Sequence, residues 1–145
     1  MVEVGDSAPE FEGPSSLGGN FKLSEHKGHP VVVYFYPAAS TPGCRIETKA
    51  FQDLHAEFQK RHVTLVGVSV DSPEAEAKFA GECATGFGLV ADSKGSIATA
   101  YGVMGPSGRA SRVTFLLAPD GKVVEKVSGS PLTHVERAKA RFLSG

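Results

Sequence analysis

Two uninterrupted apolar runs limit the fold most tightly: "VVVYFY" at 31–36 and "VTLVGVSV" at 63–70. Neither alternates apolar with polar residues, so neither suits a sheet with one wet face. Each reads as a strand covered on both sides, as in a parallel sheet. The segment between them has helical spacing, with Ile46, Ala50, Phe51, Leu54 and Phe58 expected on the buried face.

The rest of the chain builds outward from this unit. Residues 8–23 read as a hairpin, with "PEFEG" and "NFKL" flanking the turn-rich "PSSLGG". In "DSPEAEAKFAGEC", Ser72 fits a helix N-cap and Pro73 the first helical position, with Ala75, Phe79 and Cys83 on one stripe. "GLVAD" reads as a short strand and "SIATAYG" as a helix, while "RVTFLLA" and "KVVEKVSG" form a hairpin through "PDG". Ser130–Pro131 opens a last helix, with Leu132, Val135, Ala138 and Phe142 expected on its inner face. This order predicts an α/β fold: a central mixed sheet with an antiparallel edge, helices on both faces and an N-terminal β-hairpin. With 145 residues, no repeat and no internal linker, residues 1–145 are expected to form a single domain.

Composition narrows the partners. The formal net charge is −1 and no lysine/arginine stripe stands out, so neither nucleic acid nor an anionic membrane is expected. The apolar runs are too short to span a bilayer. The acidic start, "MVEVGDSAPEF", lacks a signal-peptide core, so a cytoplasmic location is expected. Two cysteines are too few for a disulfide-rich scaffold; in a reducing compartment such a pair points to catalysis. Of the histidines, only His26 and His29 are close in sequence, in "EHKGHP", which reads as an exposed loop rather than a metal site. There is no C-x-x-C, no G-x-G-x-x-G after a strand and no P-loop, and no metal or organic cofactor is expected.

The chemistry concentrates in "PAASTPGC", residues 37–44. Pro37 stops the strand because it cannot donate to a central ladder. Thr41 and Pro42 read as N-cap and first helical residue, placing Cys44 in the first turn. Backbone N–H groups there lack helical partners, and the helix dipole favours a negative thiolate. Gly43 leaves room for a substrate to approach the backbone. A small buried thiol at a helix start is the plainer alternative.

The same residues carry a family resemblance. "PAASTPGC" fits the Pro-x-x-x-Thr-x-x-Cys signature of peroxiredoxins, and "VVVYFYPAASTPGCRIETKAF" resembles the bacterioferritin comigratory protein (PrxQ) subfamily. "GDSAPEF", "GVSVDSPE", "AYGV" and "RVTFLLAPDGKV" extend the likeness along almost the whole chain. The resemblance implies a thioredoxin-like fold and a thiol-dependent peroxidase acting on hydrogen peroxide and small organic hydroperoxides. It makes Cys44 the peroxidatic cysteine, Thr41 a hydrogen-bond partner of thiolate or peroxide, and Pro37 a shield against water and over-oxidation. It makes Arg112, three residues before Phe115 in "RVTF", the cation that favours the thiolate and the charge on the leaving oxygen. Arg109 competes for that role but sits in a loop context. Backbone N–H groups near Gly43 and Cys44 would assist. Glu47 also matches the subfamily pattern, and complementing the helix dipole explains it equally.

Recycling is where this chain departs from its apparent relatives. Many subfamily members carry a resolving cysteine five residues after the peroxidatic one; here that residue is Lys49. Others carry it on the next helix, at a position aligning with Ala80. Cys83 lies about one helical turn beyond. The resemblance therefore implies an intramolecular Cys44–Cys83 disulfide reduced by a thioredoxin-like dithiol. Gly81, Gly86 and Gly43 mark places where helices could open to let the sulfurs meet. A buried, inert Cys83 is the alternative, leaving a one-cysteine peroxidase served by an external thiol. A redox-sensing thioredoxin-fold module is a further alternative. The subfamily likeness implies a monomer, with a weak dimer through the Cys44 face also open.

Overall fold

The computed structural model describes residues 1–144. β1 (Glu12–Pro14) and β2 (Asn20–Lys22) form the antiparallel N-terminal hairpin and lead into a 3-10 turn at Leu23–His26. The main sheet follows: β3 (Val31–Phe35), β4 (Thr64–Ser69), β5 (Gly88–Ala91), β6 (Val113–Leu117) and β7 (Val123–Val127), in spatial order β5-β4-β3-β6-β7. β3, β4 and β5 run parallel, while β6 and β7 are antiparallel to their neighbours. The helices are α1 (Pro42–Lys60), α2 (Pro73–Cys83), α3 (Ser96–Tyr101) and α4 (Pro131–Phe142). This is the mixed sheet with an antiparallel edge expected from the sequence.

The unbroken apolar runs are explained by two cores, one on each side of the sheet. Successive β3 residues point to opposite faces. Val32, Tyr34 and Tyr36 join the core under α1, α2 and α4. Val31, Val33 and Phe35 join the core under α3 and the N-terminal segment, with Phe11, Ile97 and Tyr101. Tyr34 lies flat across β4 because position 67 is glycine: a Cβ there would come within 2.8 Å of the tyrosine ring.

Two expected helix faces need correction. Ile46 is 52% exposed, and the buried stripe of α1 is Cys44, Glu47, Thr48, Phe51 and Phe58. Leu132 is likewise 52% exposed, and α4 buries His134 with Val135 and Ala138. In both helices a polar residue takes a core position where a polar group of another element meets it, which apolar spacing alone cannot reveal. The α2 stripe through Phe79 and Cys83 is present, with Glu76 buried on it as well.

Caps follow the sequence unevenly. Ser72 accepts from the Ala75 N–H at 3.1 Å, as an N-cap should. Thr41 occupies the cap position of α1 but makes no side-chain cap; its hydroxyl donates to the Ala38 carbonyl at 2.8 Å. α2 ends on Ala84, a non-glycine residue in the left-handed region (φ 52°), a conformation that L-residues adopt at a cost.

α2 is held to the sheet by a buried carboxyl. Both Glu76 oxygens lie 2.8 Å from the Tyr36 hydroxyl, and burial pushes the Glu76 carboxyl up to about 8. The folded protein therefore holds this proton more tightly than the unfolded chain, whose glutamates titrate near 4.5. The stabilisation is complete below that value and is lost as pH rises through about 8. Glu76→Gln keeps a neutral, hydrogen-bonding side chain at every pH. It is expected to raise the melting temperature near pH 8.5 by roughly 3–6 °C and to flatten the decline between pH 5 and 8.5. Thermal denaturation followed by circular dichroism checks this; an unchanged pH slope would contradict it.

Candidate active site

The site forms where the β3–α1 turn meets the segment entering β6. β3 ends beneath Tyr36, and Pro37 makes the bend that follows, half-buried. The turn is pinned from below: Asp71 Oδ2 accepts the Ala39 N–H at 2.9 Å and the Ser69 hydroxyl at 2.8 Å. Ser40, in the left-handed region, donates to Glu82 of α2 at 2.8 Å, and Arg45 reaches the same carboxylate at 3.2 Å. The turn that delivers Cys44 is thus tied both to the end of β4 and to the last turn of α2.

Cys44 is fully buried in the first turn of α1, with its thiol free. Arg112 is its polar neighbour. One guanidinium nitrogen lies 3.5 Å from Cys44 Sγ, and the other donates to Glu47 Oε1 at 2.7 Å. A planar, permanently charged fork can hold both partners at once, which a lysine ammonium could not do in the same geometry. Gly43 makes this approach feasible: a Cβ at that position would stand 3.0 Å from Arg112 Nη2. The room it provides is taken up by the arginine. Arg109 is exposed in the preceding loop, so Arg112 is the arginine at the thiol.

Glu47 is fully buried, and burial pushes its carboxyl up to about 7 against the pull of Arg112. Glu47 Oε2 has no hydrogen-bond partner among the described residues and lies 3.7 Å from His134 Nδ1. His134 is itself buried, with Thr114 Oγ1 2.7 Å from Nδ1 and the Gly129 carbonyl 3.1 Å from Nε2. The structure thus gathers Cys44, Gly43, Glu47 and Arg112, and it adds His134, Thr114 and Asp71, which sequence reading did not place at the site. One signal was available: His134 lies one and four residues before Val135 and Ala138, on the inner arc of α4.

Cys83 ends α2 and packs into the same core as Cys44, also as a free thiol. Burial pushes its thiol above the ordinary value, opposed mainly by Lys49. Two hollows in the surface lie away from this region. One is lined by Glu10, Lys27 and Asp120, the other by Leu17, His55 and Phe87, and neither includes Cys44.

A half-buried arginine against a thiol at a helix N-terminus, on a sheet of this topology, defines a thiol-based redox enzyme with a thioredoxin-like fold. The AhpC/TSA family model matches residues 4–126, and the chain belongs to that family, the peroxiredoxins. Peroxiredoxin Bcp of Escherichia coli K12 is 33% identical over 129 residues, covering 84% of this chain and 83% of the relative. The crystal structure of peroxidoxin BcpB from Mycobacterium tuberculosis superposes with a TM-score of 0.91 at 35% identity, covering 99% of this chain and 97% of that one. Structures of the Xanthomonas campestris bacterioferritin comigratory protein, described for alkyl peroxide reduction, match with a TM-score of 0.81 at 31% identity over 99% of this chain and 94% of that one. The chain is therefore a thiol-dependent peroxidase that consumes a peroxide and a thiol reductant. Among the described residues, no helix is long and apolar enough to cross a membrane.

Proposed function

We propose that residues 1–145 form one peroxidase domain in which Cys44 attacks hydrogen peroxide and small organic hydroperoxides. The single observation that supports this most is the Arg112 fork, shared between Cys44 Sγ at 3.5 Å and Glu47 at 2.7 Å. The Cys44 thiolate attacks the distal peroxide oxygen; the S–O bond forms as the O–O bond breaks, giving a sulfenic acid. The departing alkoxide or hydroxide takes a proton and leaves as alcohol or water. Arg112 and the first-turn N–H groups stabilise negative charge as it moves from sulfur to oxygen. Pro37 screens the sulfur from water, and Thr41 fixes the turn and offers its oxygen to the peroxide. The activity described for the Xanthomonas relative supports including alkyl hydroperoxides.

Cys83 then resolves the sulfenic acid. Its sulfur attacks Cys44 Sγ, the S–S bond forms, and the hydroxyl departs as water after gaining a proton. A thioredoxin-like dithiol restores both thiols. Both cysteines lie in one core, which favours this pairing, while α2 must loosen for the sulfurs to meet. The strained cap at Ala84 and the absence of any side chain at Gly81 favour opening at this end. The enzyme acts in the cytoplasm as a monomer. Exposed Ile46 and Leu132 offer a face for weak self-association beside the site.

Intact-mass measurement tests the resolution step. After one equivalent of peroxide and alkylation of free thiols, the protein is expected to lose two hydrogens and to carry no alkyl group. A gain of oxygen with Cys83 alkylated would instead establish a one-cysteine peroxidase. The opening step has its own test. A methyl group at position 81 meets nothing within 4 Å, so Gly81→Ala fits the folded helix. It should raise helix stability by about 1 kcal/mol and slow disulfide formation roughly 5-fold. Time-resolved alkylation after a peroxide pulse reads this rate; an unchanged rate would show that α2 does not unwind at Gly81.

A further inference from the structure

Glu47 and His134 meet inside the protein, where α1 faces the first turn of α4. Both are fully buried, and Glu47 Oε2 lies 3.7 Å from His134 Nδ1, beyond hydrogen-bond reach. Among the described residues, no other group donates to that oxygen. A buried carboxylate oxygen without a donor disfavours the charged form.

The tautomer of His134 follows from its other two contacts. Nε2 is 3.1 Å from the Gly129 carbonyl, which can only accept, so Nε2 carries the proton. Burial holds the imidazole below its ordinary value, so the ring is neutral near pH 7. Nδ1 is then an acceptor, served by the Thr114 hydroxyl at 2.7 Å. Glu47 consequently faces a lone pair rather than a proton.

We propose that His134 is a positioning residue for peroxide reduction: locked as an acceptor by Thr114 and Gly129, it disfavours the ionised form of Glu47 and so leaves more of the Arg112 charge to Cys44. The competition is direct, because one guanidinium spans both partners. A charged Glu47 draws the fork toward itself, and a neutral one releases it toward the sulfur. The titratable and charged groups facing the pair are Arg112 ahead of β6, Cys44 on α1 itself and Tyr34 on β3, whose hydroxyl is engaged by Thr48. Of these, Arg112 favours the ionised carboxylate and burial opposes it, leaving Glu47 to titrate at about 7.

The inference rests on Cys44 as the attacking thiol, and Cys44→Ser tests that reading separately. If that variant still turns over peroxide, the functional reading fails; if it is inactive, the His134 variants decide the present question alone. The measurement is the second-order rate of oxidation by hydrogen peroxide in stopped flow, from about pH 5.5 to about pH 8.5. His134→Phe keeps an aromatic ring but removes the facing lone pair and frees the Thr114 hydroxyl, so Glu47 should ionise at lower pH. The rate should fall roughly 5-fold near pH 6 and converge with wild type near pH 8.5. In a Glu47→Gln background the same substitution should change the rate by less than about 2-fold, because there is no charge left to tune. Thr114→Val, nearly isosteric, frees the Nδ1 lone pair, and a small approach across the 3.7 Å gap then lets a protonated Glu47 donate to it. It should therefore move the inflection upward in pH, opposite to His134→Phe. A uniform slowing at all pH values, a slowing that persists in Glu47→Gln, or a Thr114→Val inflection that stays in place would each overturn the proposal.

Discussion

Replacing Cys44 by serine is expected to abolish peroxide turnover, by at least about 10⁴-fold in the second-order rate. The reason lies in the nucleophile. A serine hydroxyl stays protonated at neutral pH, and the side chain that meets position 44 is Arg112, which cannot act as a base. The neighbours here are Arg112 and the first-turn N–H groups, which stabilise negative charge and remove no proton. The substitution is nearly isosteric in a fully buried position, so the fold should survive it. Consumption of hydrogen peroxide with a thioredoxin system or dithiothreitol as reductant, alongside a thermal melt, separates loss of chemistry from loss of structure. Residual turnover within about 100-fold of wild type, in a folded protein, would move the reaction to another residue.

The second large effect belongs to Arg112. Arg112→Leu should lower the rate of peroxide attack by roughly 10²–10³-fold, the usual loss when one preorganised donor to a developing charge is removed. Arg112→Lys should recover little of it. A point charge can sit near the thiol or near Glu47, but it cannot hold 3.5 Å to one and 2.7 Å to the other as the fork does. Stability should respond with a distinctive pH dependence. Without Arg112, Glu47 loses the group that opposes its burial, and its carboxyl should rise further above about 7. Arg112→Leu should therefore lose more stability near pH 8.5, where Glu47 is forced to ionise, than near pH 5.5, where it stays neutral in both proteins. Stopped-flow kinetics and denaturation at the two pH values measure both halves. A rate loss under about 3-fold would remove Arg112 from the mechanism.

The architecture was legible because its signals are local. Unbroken apolar runs announce strands covered on two sides, and the structure supplies a core for each face of β3. Prolines after serine or threonine mark the starts of α1, α2 and α4. What the pattern misjudged were amphipathic faces carrying polar residues. Ile46 and Leu132 are apolar yet exposed, while Glu47, Glu76 and His134 are polar yet buried. Hydrophobic spacing assumes that burial follows apolarity, and it fails where a buried polar group finds a partner on another element.

The candidate site divides in the same way. Cys44, Thr41, Pro37 and Gly43 lie within one turn of chain, so their order in sequence already implies proximity, and the family resemblance singles out Arg112 in "RVTF". Local residue order is enough to imply the strand–turn–helix that carries the thiol, and the family resemblance supplies the arginine that answers it. Only the tertiary structure decided what answers the arginine. Arg112 with Thr114, Glu47 and His134 come from three separate stretches of chain and meet only because β6 lies beside β3 while α1 and α4 pack on the same face. Their charges and protons are set by mutual distance inside a dry core. Those distances are fixed by packing across the whole chain, and no local pattern of residues records them.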